Sequence, residues 1–74
     1  MKKKLLKIIN GVLENNNRKK IEDINDNISL RNDVGFDSLD LAEFTVCIEK
    51  EFGIDIFENS LVDTIKEVVK KIKG

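Results

Sequence analysis

The run DSLDLAEFTVCIEKEFG, Asp37 to Gly53, decides the fold. Within it Leu41, Phe44, Ile48 and Phe52 recur at steps of 3, 4 and 4, the apolar stripe of an amphipathic α-helix. Asp37 and Ser38 stand just before the stripe, and either can cap a helix N-terminus. Gly53 stands where the helix end favours a left-handed residue. The spacing therefore predicts a helix from Ser38 to about Phe52.

Working outward, Leu5, Ile8, Ile9, Val12 and Leu13 make a second helical stripe, predicting a helix over about Lys3 to Asn15 that ends at Asn15-Asn16-Asn17. Ile65, Val68, Val69 and Ile72 make a third, with Asp63 or Thr64 as its cap and Lys70, Lys71 and Lys73 in its last turn, where cations suit the helix dipole. Residues 16–37 form a long connector rich in Asn and Asp. It carries Ile21, Ile24, Ile28, Leu30 and Val34, more aliphatics than a free linker needs, so it reads as an ordered loop with one short helical turn near Ile21–Ile24. Ile54 to Phe57 alternates like a strand but is too short and isolated for a sheet. A short helical turn is expected around Asn59–Val62. The sum is one all-α domain over residues 1–74: three main amphipathic helices plus a short fourth, an up-down four-helix bundle with a long first loop.

The composition excludes much chemistry. The chain has 74 residues, no His, no Trp, no Tyr, no Pro and a single Cys. Such a domain buries only roughly 60% of the surface it exposes when unfolded, which leaves little room for a deep pocket. Without His there is no Ser-His or Cys-His nucleophile pair, and the usual Cys/His zinc sites are out. Cys47 has no disulfide partner and sits beside Ile48, so it reads as a small core-bordering hydrophobe in a reducing, cytoplasmic setting. The four glycines are scattered, so no phosphate-cradling loop exists. Asp23 to Asn27 imitates the start of a calcium-binding loop, but Ile28 and Val34 occupy its required Gly and Glu positions. Lys7 and Asn10 break the only apolar stretch near the start, so neither a secretory leader nor a membrane span is expected.

The net charge of −1 conceals a segregation: +6 over residues 1–20, −10 over 21–63 and +3 over 64–74. An acidic middle favours basic protein partners and repels nucleic acid.

Ser38 is the one residue whose position invites modification. At a helix start, a phosphate on its hydroxyl would meet free N–H groups and the positive end of the dipole. Helix physics alone favours the simpler reading, Ser38 as the N-cap. The run from Asp33 to Ile56, DVGFDSLDLAEFTVCIEKEFGIDI, resembles the signature of acyl carrier proteins around their modified serine. The likeness rests on Gly35, on Asp37-Ser38-Leu39, on Asp40 and Glu43, and on the closing Phe52 to Ile56. It implies a four-helix bundle that is not an enzyme. It further implies that a phosphopantetheinyl transferase attaches 4'-phosphopantetheine to Ser38, and that acyl groups ride on that arm as thioesters for fatty-acid or related biosynthesis. A chain so poor in reactive side chains fits an imported thiol.

The resemblance also makes the helix from Ser38 a recognition surface. Asp37, Asp40, Glu43 and Glu49 are read as an outward acidic strip, with Leu39, Ala42 and Val46 as its apolar contacts. Such a strip suits weak, fast docking of a monomer onto basic patches of transferring and modifying enzymes. Lys50 interrupts the strip, the ends are Lys-rich, and the segment between Ile56 and Ile65 is shorter than in the common bacterial form. Those departures leave two alternatives: a carrier of aminoacyl or polyketide intermediates in a dedicated pathway, or an unmodified helical interaction module.

Overall fold

The computed structural model describes residues 1–57 and 62–74. Three helices follow in order: α1 (Lys2–Asn15), α2 (Ser38–Phe52) and α3 (Ile65–Lys73). Among the described residues the only strand-like pairing is one antiparallel bridge, Ser29 to Thr64. The fold is all-helical, as the three stripes require. The helical turn expected around Asn59–Val62 lies largely outside the described residues.

α1 is held by its packing. Lys2, Lys3 and Lys4 oppose the dipole at its N-terminus, and Met1 provides no side-chain cap. Leu5, Ile9, Val12 and Leu13 are buried against the core. Two of the lysines find outside partners: Lys2 pairs with Asp26 at 2.8 Å and Lys4 with Glu51 at 3.3 Å. Lys4 also lies 6.0 Å from the ring centre of Phe52. Asn17 then turns the chain with a left-handed backbone, φ +58°, and the Arg18 N–H closes onto the Leu13 carbonyl at 2.7 Å.

α2 has the expected limits, with Gly53 left-handed at φ +73°. Its buried row is Asp40, Phe44 and Ile48, and Leu41 and Phe52 are only half-buried. The helix is thus rotated slightly from the stripe read in the sequence, bringing the 40–44–48 row onto the core. α3 starts from Thr64, whose hydroxyl accepts the Glu67 N–H while Glu67 accepts the Thr64 N–H, a reciprocal capping box.

The connector is ordered, but no helical turn forms near Ile21–Ile24. The Asn10 side chain takes both backbone groups of Ile21, its Nδ2 donating to the carbonyl at 3.0 Å and its Oδ1 accepting the N–H at 2.9 Å. That contact occupies the backbone groups of Ile21 outside any helix, and Ile24 and Leu30 plug into the core. The connector is then stitched to the start of α3: Leu30 N–H to Asp63 carbonyl, Ile65 N–H to Ile28 carbonyl and Lys66 N–H to Asp26 carbonyl, at 2.8–3.0 Å. The Asp63 carboxylate accepts from Ser29 Oγ at 2.6 Å and from the Arg31 N–H at 3.2 Å.

Candidate functional site

The turn that leads into α2 is built from both sides. Gly35 adopts φ +84°, a conformation that side chains resist. Phe36 follows and is buried, its ring 5.7 Å from that of Phe44 and tilted by 54°. Its N–H donates to the Leu30 carbonyl at 2.9 Å. The path from connector to helix is therefore anchored one residue before Asp37.

Asp37 is the N-cap. Its carboxylate accepts the Asp40 N–H at 2.9 Å, and the Asp40 carboxylate accepts the Asp37 N–H at 3.0 Å. The Asp40 backbone N–H, assisted by the charge of Arg18, holds the Asp37 carboxyl below its usual value. Because Asp37 takes the cap, Ser38 is the first helical residue and its hydroxyl is not spent on capping. Ser38 is exposed. It borders an open depression of about 250 Å³ lined with Arg31, Leu41, Ala42, Thr45 and Phe57. An exposed hydroxyl at a helix start is placed where a phosphodiester attached to it would meet the positive end of the helix dipole.

Asp40 departs from the outward strip read in the sequence. It is 2% exposed. One carboxylate oxygen accepts from Asn16 Nδ2 at 2.5 Å; the other accepts from Arg18 Nη1 at 2.8 Å and from the Asp37 N–H. A buried carboxylate needs such compensation. Arg18 Nη1 also donates to the Gly35 carbonyl. Sequence reasoning missed Asn16 and Arg18 in this arrangement. A signal was present: Asp40 falls in one i, i+4 row with Phe44 and Ile48, and its distance from Asp37 is that of a capping box.

The remaining residues of the strip do share an open face. Leu39 is 72% and Val46 50% exposed, and Asp37, Ala42 and Glu49 are exposed beside them. Glu43 is half-buried, and with Ala42, Val46 and Cys47 it lines a second open depression. Cys47 is a half-buried free thiol packed against the core.

The family model for the phosphopantetheine attachment site matches residues 3–72. The chain is 37% identical to an acyl carrier protein of Rickettsia bellii (strain OSU 85-389), over 99% of this chain and 88% of that one. It is 36% identical to the acyl carrier protein of Buchnera aphidicola subsp. Schizaphis graminum, over 97% of this chain and 85% of that one. No solved structure gives a match. The chain belongs to the family of phosphopantetheine-bearing acyl carrier proteins. Its prosthetic group is accordingly phosphopantetheine, and it is a carrier and not an enzyme.

Proposed function

We propose that Ser38 is the attachment point, and that the protein carries acyl groups between the enzymes of fatty-acid biosynthesis. The observation that carries this reading is the hydroxyl of Ser38, exposed at the first turn of α2 and released from capping by Asp37. When bound, the group supplies a terminal thiol that holds acyl chains as thioesters. The chain's own residues present the serine, hold the negative charge near the α2 N-terminus, and leave an apolar-edged depression beside it.

The docking face in this reading is Asp37, Leu39, Ala42, Glu43, Val46 and Glu49. Asp40 acts beneath it. Its partners are a phosphopantetheinyl transferase and acyl-handling enzymes with basic patches, met by a cytoplasmic monomer. No helix among the described residues is long and apolar enough to cross a membrane. Completion of an up-down four-helix bundle by a short element before α3 belongs to the same reading, supported by a family match that runs from residue 3 to residue 72.

The test is an intact mass after incubation with coenzyme A, magnesium and a broad-specificity phosphopantetheinyl transferase. One phosphopantetheinyl group should be gained by the wild type and none by Ser38→Ala, with helicity unchanged. A Ser38→Ala protein that still gains the group would remove the assignment.

A further inference from the structure

Arg18 belongs to none of the sequence motifs, yet it touches the Ser38 turn on both flanks. Its Nη1 reaches the Gly35 carbonyl three residues before Ser38 and the Asp40 carboxylate two residues after it. We propose that Arg18 is a positioning residue, a strap across the turn that holds Ser38 in one orientation for the enzyme that modifies it. The proposal rests on the reading of Ser38 as the attachment point.

The strap is delivered by α1. The left-handed Asn17 turns the chain back, and the Arg18 N–H is tied to the Leu13 carbonyl at 2.7 Å, so the guanidinium starts from a fixed base. Asn16 holds the other oxygen of the same carboxylate and donates to the Val12 carbonyl at 3.2 Å as well. The carboxylate they meet is buried, and Arg18 is the cation paired with it among the described residues. With Arg18 gone, Asp40 is a buried charge held only by neutral donors. The same carboxylate oxygen that meets Arg18 also accepts the Asp37 N–H, half of the capping box, so that bond loses its fixed acceptor. The Gly35 carbonyl is released in the same stroke. Both flanks of Ser38 loosen while the apolar core keeps its contacts.

The role is distinct from docking. A basic partner attracted to α2 would be repelled by Arg18, so a mere charge effect of removing it speeds association. Loss of orientation instead slows the chemical step after association.

The experiment measures kcat and KM for phosphopantetheinyl transfer to the wild type and to Arg18→Gln, Arg18→Lys, Lys19→Gln and Asp40→Asn, below their melting temperatures. Lys19 is exposed and next in sequence, so Lys19→Gln removes the same charge without touching the strap. Arg18→Gln should lower kcat on the order of ten- to a hundredfold with little change in KM. Arg18→Lys should recover part of it, since a point charge lacks the guanidinium fork. Lys19→Gln should load like the wild type, and the Asp37 amide should exchange with solvent faster in Arg18→Gln. If Arg18→Gln does not fold, Arg18→Lys and Asp40→Asn decide, each slowing kcat if the strap matters. Wild-type rates in the Arg18 variants, or equal slowing by Lys19→Gln, would overturn the proposal while leaving Ser38 as the attachment point. A wild type that never gains the group sinks the Ser38 reading itself.

Discussion

Asp37 and Asp40 are the same residue three positions apart, and the structure uses them in opposite ways. Asp37 is exposed, caps α2 and has a carboxyl held below its ordinary value of 3.8 by the backbone N–H of Asp40. Asp40 is buried under Arg18 and Asn16. Glu67 holds at α3 the capping-box position that Asp40 holds at α2, but it is exposed, and its carboxyl is lowered from 4.5 mainly by the Thr64 N–H. A carboxyl whose folded pKa lies below its unfolded one contributes stability above the unfolded value and loses it as pH falls through the folded value. The melting temperature should therefore drop on acidification below about the ordinary carboxylate range. Asp37→Asn, which keeps an acceptor but does not titrate, should show a smaller drop between neutral pH and that range. Parallel curves for the two proteins would contradict the assignment. The start of α2 at Ser38 and the cap at Asp37 are legible in the sequence, because both signals are local. Its outward placement of Asp40 failed because the Arg18 and Asn16 contacts cross more than twenty residues.

The helices differ in what makes them. α2 and α3 each begin with a reciprocal capping box, and α2 ends on a left-handed glycine. Such features lie within a few residues of one another, so their limits are readable from spacing alone. α1 has no side-chain cap and the wrong charge at its start, and it depends on its buried stripe. It also carries Gly11 in mid-helix. That position is exposed, and a Cβ built there meets nothing within 4 Å. Gly11→Ala should thus stabilise the domain by about 1 kcal/mol. That amounts to roughly 4–8 °C in Tm for a domain of this size, readable by circular dichroism. An unchanged or lower Tm would mean that the glycine is needed for something besides the helix. The connector marks where pattern reading stops. The pattern predicts a helical turn near Ile21–Ile24, but Asn10, eleven residues upstream, takes both backbone groups of Ile21.

At the scale of the whole molecule, the charge segregation of the sequence becomes a division of labour. The basic start of α1 meets acids of the connector and of α2, with Lys2 on Asp26 and Lys4 on Glu51. The connector is the surprise, since it behaves less as a link between helices than as a packed layer of its own. Ile24, Leu30 and Phe36 fill the core from it, and its backbone bonds to the start of α3 close a span of more than thirty residues. A layer fastened at so many points does not depend on an unbroken chain. Arg31 and Asn32 are both exposed at the tip of a turn, and the Arg31 N–H is itself one of the stitches, bonded to the Asp63 carboxylate. Two synthetic halves, residues 1–31 and 32–74, should find each other when mixed, regain helicity and melt in one cooperative step. Halves that remain separate would mean that covalent continuity at the tip, and not the stitching, holds the protein together. Reassembly would make this carrier divisible, two inert fragments whose meeting can be read as the reappearance of a loadable serine.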